Sequence, residues 1–285
     1  MNMNSLVTPW NESLDVSAPA RAPALVETDL ASLDEHLDGL FDGRLSAVLI
    51  KRVASDQDCS RIFDNFMRSP GLYQRSDGVS GRMVGTNAFM KDTAAMLLDY
   101  LRNNGYAELL FEGANNVFRL LYDAIEDAGH RFRPAYINGV PSPTHRATIW
   151  DDSCIEQLVL KAHTDWPQVR HSGREYSDVT HPIAVNFYPR HPDGKASCVR
   201  LYDLVPTAHW LRERGIHAGG YPIDFAELHE VPYLDIVPSS GDMLLFAAAN
   251  VHSVFQARGH ASDVRLNING FIGYSRRANR VLAWV

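Results

Sequence analysis

Beyond residue 131 the chain breaks into short β-rich runs bounded by turn residues, and this rhythm limits its possible architectures more than any other feature. The runs are Ala147 to Trp150, Ile155 to Ala162, Ile183 to Tyr188, Cys198 to Val205, Val231 to Val237, Met243 to Phe246, Ser253 to Ala257 and Val264 to Tyr274. About eight strands of this length fit two facing sheets, a mainly β fold of the jelly-roll or cupin-like kind with a double-stranded β-helix core. Pro192-Asp193-Gly194 and Ser239-Ser240-Gly241-Asp242 read as hairpin-type turns, and Thr207 to Gly215 as a short helix.

The amino-terminal half has a different texture. Residues 1–25 mix Asn, Ser, Pro and Ala without periodicity and read as a flexible arm; residues 26–285 read as one domain. Its helical layer spans about residues 26–130 and its β core about 131–285. Leu30, Leu33, Leu37, Leu40 and Phe41 form one helical stripe, stopped at Gly43, and a strand follows at Leu45 to Lys51. Ser55 caps a helix that buries Cys59, Ile62, Phe63 and Phe66 and ends at Pro70-Gly71. Two further helices carry Ala94, Leu97, Leu98 and Leu101 before Gly105, and Val117, Leu120, Leu121, Ala124 and Ala128 before Gly129.

Composition narrows the function. A net charge of -7 without any basic run argues against nucleic-acid polymers and anionic membranes as partners and leaves a small-molecule substrate. Cys59, Cys154 and Cys198 are far apart and suggest neither a zinc knuckle nor a disulfide framework. With no signal-like start and no membrane-length apolar stretch, the expected setting is the cytoplasm, as a monomer or homodimer.

The chemistry lies in a few side chains. His163 and Asp165 follow the apolar run Leu158 to Ala162, and residues i and i+2 of a strand share a face, so both side chains reach one metal ion. His252, after the Gly241-Asp242 turn and the buried run Met243 to Phe246, supplies a second imidazole; two imidazoles and one carboxylate form the facial set that holds iron(II) with open positions. His191-Pro192-Asp193 has the same spacing, but Pro192 and Gly194 put it in a turn. If the last two runs form a hairpin, Arg265 lies opposite roughly Gln256, ~13 Å along the strand from His252, a gap suited to a short dicarboxylate. An ion pair with Asp242 or Asp263 is the structural alternative for Arg265.

Taken together, His163-Thr164-Asp165, the Gly241-Asp242 turn, His252 and Arg265-Leu266-Asn267 resemble the iron(II) and 2-oxoglutarate-dependent oxygenases, over about residues 155–274. The resemblance implies Fe(II), 2-oxoglutarate and O2 as cofactor and cosubstrates. It implies His163, Asp165 and His252 as metal ligands and Arg265 as the anchor of the distal 2-oxoglutarate carboxylate. Many members have Ser two residues after that arginine; here Asn267 stands in its place as a cosubstrate contact. Related halogenases have a small residue at the carboxylate position, so Asp165 favours hydroxylation.

The overall layout also resembles small bacterial oxygenases that hydroxylate or halogenate free or N-acylated amino acids, which implies an amino acid or its derivative as substrate. Arg82, in Ser80 to Asn87, is then a candidate for a substrate carboxylate, alongside Arg170 and Arg174 in the polar loop after the metal pair and Trp166 as a wall of the iron site. Trp284 belongs to core packing of Val281 to Val285. Alternative readings are a nucleotide or nucleoside hydroxylase, a cupin-type metalloenzyme that does not use 2-oxoglutarate, and a non-catalytic ligand-binding jelly roll.

Overall fold

The computed structural model describes residues 23–75, 81–86, 93–150, 158–165, 174–192, 197–216, 221–255 and 264–285. Its helices are α1 (Asp34–Phe41), α2 (Asp56–Arg68), α3 (Thr93–Glu108), α4 (Val117–Asp127) and α5 (Ala208–Glu213). The strands are β1 (Leu25–Thr28), β2 (Ala47–Ile50), β3 (Tyr73–Gln74), β4 (Arg82–Val84), β5 (Phe132–Pro134), β6 (Tyr136–Ile137), β7 (Val140–Pro141) and β8 (Arg146–Trp150). They continue with β9 (Leu158–His163), β10 (Ile183–Arg190), β11 (Cys198–Tyr202), β12 (Tyr233–Ile236), β13 (Met243–Ala247), β14 (His252–Phe255), β15 (Arg265–Ser275) and β16 (Arg280–Trp284).

The larger sheet runs β1-β2-β13-β10-β15-β8-β4-β3, with β16 beside β15 and β5 beside β16; the smaller runs β12-β11-β14-β9. From β8 to β15 the chain moves back and forth between the two, and only β11 and β12 follow each other in one sheet. Sheet-to-sheet crossing therefore replaces the expected hairpins. Met243 follows the Ser239 to Asp242 turn into the larger sheet, and β14 and β15 do not pair with each other: β14 lies between β11 and β9, while β15 lies against β10, β8 and β16. The Pro192 turn likewise joins strands of different sheets, and Asp193 and Gly194 lie outside the described residues.

Strand alternation gives the larger sheet two unlike faces. Ala147 and Ile149 of β8, Ile183, Val185 and Phe187 of β10, Met243 and Leu245 of β13, and Leu266 and Ile268 of β15 pack under the helices. The intervening residues Arg146, Thr148 and Trp150, then Asn186 and Tyr188, then Arg265, Asn267 and Asn269, turn toward the smaller sheet and line a cavity there. Leu160, Val199 and Val254 of the smaller sheet form the apolar side of that cavity. One face thus packs under the helices, and the other sets these polar groups beside a second apolar cluster that includes Ala184, Leu244, Phe246 and Phe271.

The helices cover the apolar face. Ser55 caps α2 by accepting from Asp58 N at 3.1 Å, and Asn116 caps α4 by accepting from Phe118 N and Arg119 N, each an otherwise orphaned donor of a first turn. Cys59, Ile62 and Phe66 of α2 are buried as expected. In α4 the buried face is Val117, Phe118, Leu121, Tyr122 and Ile125, while Leu120 is exposed. The stripe expected for α3 holds only at Leu97, which packs partly buried on the core: Met96, Tyr100 and Ala107 are buried, whereas Ala94 is exposed, Leu98 is 54% and Leu101 78% exposed, and Gly105 lies inside the helix. Apolar residues surround this helix, so periodicity alone leaves two faces open; Tyr100, whose hydroxyl meets Ser142 Oγ at 3.2 Å and donates to Val285 O at 3.3 Å, decides between them.

The amino-terminal segment also adds strands to the larger sheet, β1 to β4, beyond the single one expected. At Gly270 β15 exchanges β8 for β16 along one edge, and a Cβ there would meet Thr144 O at 2.0 Å, so only glycine fits. No helix among the described residues is long and apolar enough to cross a membrane.

Candidate metal centre and its cavity

His163 and His252 are directly paired across β9 and β14, with ring centroids 4.1 Å apart. Asp165 lies just beyond the end of β9 rather than within it, where its N–H donates to Ala248 O at 3.0 Å and Thr164 Oγ1 donates to Ala249 O at 2.8 Å. Those two bonds tie the segment to the turn between β13 and β14 and bring Asp165 Oδ2 to 3.4 Å from His252 Nε2. One donor atom from each residue lies within 4.8 Å of the others, and all three residues are buried. Among the described residues this is the sole such cluster.

Both imidazoles are held from behind. His163 Nδ1 is 2.8 Å from Lys161 O and His252 Nδ1 is 2.9 Å from Asn250 O, in each case the carbonyl two residues earlier. A carbonyl only accepts, so each Nδ1 carries a proton and each Nε2 is the ring nitrogen left for a metal. Burial, and then the neighbouring His252, pushes the His163 imidazole down to about 4. Burial alone would push the Asp165 carboxyl up, but the hydrogen bond from His252 and the charges of His252, His163 and Arg146 hold it below its ordinary value. A divalent metal binds imidazoles through a free Nε2 beside an ionised acid, so its arrival would displace any proton His252 shares with Asp165.

Arg265 enters the same cavity from the opposite sheet. It is 1% exposed, its Nη1 donates to Phe255 O at 3.3 Å, and its guanidinium lies over the Tyr188 ring at 5.2 Å. The β14–β15 hairpin expected to align it with Gln256 does not form, and Gln256 lies outside the described residues; the inter-sheet contact puts Arg265 beside the strand end three residues from His252, ~10 Å along β14. Asp242 does not pair with it, because that carboxylate accepts from Lys51 Nζ at 2.5 Å, Arg52 N and Ser239 N; Asp263 lies outside the described residues. Among the described residues no carboxylate meets this buried cation, which makes the cavity a fit for an anionic group. Asn267 is buried next to it, donating through Nδ2 to Asn186 Oδ1 at 2.7 Å.

The other candidates divide. His191 is buried behind the cavity-lining residues, edge-on to Tyr188 at 5.3 Å, with Nδ1 2.9 Å from Pro192 O. Arg82 lies in β4, paired with Gln74 and Ile149, and is not among the cavity-lining residues, which instead include Arg75 and Arg146. Arg174 is buried against Tyr176, donating to its hydroxyl at 2.9 Å, and not at a pocket mouth. Arg170 and Trp166 lie outside the described residues. Trp284 packs in the core as expected, stacked on Tyr176 at 4.5 Å. Sequence reasoning missed Arg75, Arg146, Trp150, Tyr188 and Tyr221; the alternation of Arg146, Thr148 and Trp150 along β8 was the available signal for two of these.

No protein-family model and no curated protein sequence matches the chain. Among solved structures it is similar to an N-substituted L-amino acid dioxygenase from Burkholderia ambifaria AMMD, at 12% identity and a TM-score of 0.55, covering 89% of this chain and 91% of that one. The two chains share one fold. The same dioxygenase in complex with alpha-KG matches at 13% identity and a TM-score of 0.54, over 89% of this chain and 91% of that one.

Proposed function

We propose that this protein is an iron(II)- and 2-oxoglutarate-dependent oxygenase that hydroxylates an unactivated C–H bond of a small polar metabolite, an amino acid or amino acid derivative. The observation that carries the reading is the pairing, in one cavity, of the His163, Asp165 and His252 donor set with a buried Arg265 that meets no carboxylate among the described residues. The alternation of strands between two sheets supports a double-stranded β-helix core. Similarity to an amino acid dioxygenase fold supports the substrate class.

In this reading His163, Asp165 and His252 hold the metal on one face, and their buried setting fixes which atoms point inward. Arg265 binds the distal carboxylate of 2-oxoglutarate through a charge-assisted pair, and Asn267 lines the same end. Leu160, Val199 and Val254 keep water from the chain of the cosubstrate. When bound, iron would activate O2, the oxidant, with 2-oxoglutarate giving two electrons and the substrate C–H bond two; one oxygen atom would end in succinate, released with carbon dioxide, and the other in the product. The presence of Asp165 favours hydroxylation over halogenation.

Anaerobic addition of Fe(II) and then 2-oxoglutarate is expected to produce a visible charge-transfer band, and aerobic turnover with ascorbate and a metabolite library to release succinate. A folded, metal-binding protein that gives neither with any library member sinks the proposal and favours a cupin-type enzyme without 2-oxoglutarate. A product heavier by one oxygen identifies the substrate.

A further inference from the structure

The row of residues that ends on Arg265 contains one more polar group than cosubstrate binding has used. Trp150 pairs with Arg265 on one side. On the other, Arg190 pairs with Leu266, so the next ladder position sets His191 beside Arg265, at cross-strand distance of about 5 Å between Cβ atoms. Regular alternation from Tyr188 would turn residue 191 to the helix side. A bulge prevents this: between the Phe187–Ile268 and Arg190–Leu266 pairs, three residues of β10 advance against two of β15. The bulge reverses parity and aims His191 inward, a recognised use of this irregularity.

The histidine is held there. Its backbone N–H donates to Ser240 Oγ at 3.0 Å, its ring stands edge-on to Tyr188 at 5.3 Å, and the residue is 6% exposed. Nδ1–H donates to Pro192 O, so Nε2 carries a lone pair. Among the described residues that Nε2 has no partner, and neither does Arg265 Nε, a donor. Trp150 Nε1 and Asn267 Oδ1, in the same and the next row, are also without one. Buried polar atoms are rarely left in this state, and a donor beside an acceptor is a complementary pair.

We propose that His191 is a positioning residue for the cosubstrate end of the cavity: its imidazole, which does not bond to Arg265 in this structure, accepts from the guanidinium when a carboxylate occupies the fork and so fixes the fork that receives the distal carboxylate. Burial, and then the Arg265 charge, pushes the imidazole down to about 3, so it stays a neutral acceptor and does not repel the arginine. The proposal rests on the oxygenase reading above.

The test measures equilibrium binding of 2-oxoglutarate to the metal-loaded, anaerobic protein, with metal affinity measured separately. His191→Leu is expected to weaken 2-oxoglutarate binding by about tenfold, the loss of one hydrogen bond to a charged group, with metal affinity unchanged. His191→Gln, which restores an acceptor, is expected to recover most of it. Equal 2-oxoglutarate affinity in wild type and His191→Leu overturns the role of His191 while leaving the oxygenase reading intact. A wild type that binds metal but no 2-oxoglutarate overturns both. If His191→Leu does not fold, nitrogen NMR of the wild-type histidine decides: saturation with 2-oxoglutarate is expected to shift its Nε2 resonance, and an unmoved resonance overturns the proposal.

Discussion

The two ends of the cavity are built in different ways. At the metal end each imidazole is oriented by a carbonyl two residues earlier in its own segment, Lys161 for His163 and Asn250 for His252. At the other end Arg265 has Trp150 of β8 on one side and His191, just past the end of β10, on the other, segments far apart in the chain that flank it only because β8, β15 and β10 are in register. Local bonds thus orient the candidate metal donors, while the Arg265 end depends on the ladder, on a bulge and on one glycine. Damage to the sheet is therefore expected to reach the two ends unequally.

The largest effect is expected at the metal end. Asp165→Asn removes the one anionic donor and should weaken metal binding by at least about a hundredfold, since outer-shell changes alone cost that much at such sites. Anaerobic calorimetry with Fe(II) reads this, and retained affinity would separate Asp165 from the metal. Arg265→Ala comes next. It should leave metal affinity within a few-fold but weaken 2-oxoglutarate binding by about a hundredfold, the loss of a buried charge-assisted pair. Loss of metal binding in that variant would mean that the two ends are not separable.

Gly270→Ala tests the ladder itself. The new Cβ would face Thr144 O, so β15 must shift; a destabilisation of about 1–3 kcal/mol is expected, seen as a fall in melting temperature, with 2-oxoglutarate binding affected more than metal binding. Mild acid gives a smaller and more diffuse effect. Burial holds the His145 and His191 imidazoles below their ordinary value, His191 at about 3, so below about pH 6.5 the unfolded chain takes up protons that the folded chain refuses. Stability of the metal-free protein should fall as pH drops from 7 toward 4, and His191→Gln should flatten that slope in chemical denaturation. Leu101→Ser should change stability by less than about 0.5 kcal/mol, because the exposed face of α3 is not the one that packs.

Much of the metal end was legible because its logic is short-range. A histidine and an acid two residues apart after an apolar run, and a histidine after a turn and a buried strand, are patterns in the chain itself. Their exact placement was not: Asp165 leaves the strand, and Ala248 O holds it. The α3 stripe misled because Met96, Leu97, Leu98, Tyr100 and Leu101 give the helix apolar residues on more than one side, and the Tyr100 hydroxyl finds its partners only in the folded protein.

By itself the sequence determined the alternation along each strand, the Ser55 cap of α2, and the residue types able to bind metal. Tertiary structure alone decided which strands became neighbours. It separated β14 from β15 into different sheets, brought Arg265 to Phe255 O, and turned His191 from a turn residue resembling a metal ligand into the neighbour of Arg265. The physical reason is that side-chain direction follows from local backbone period, whereas register between distant strands is set by the summed packing of a whole sheet, in which a single bulge reverses the face a residue presents.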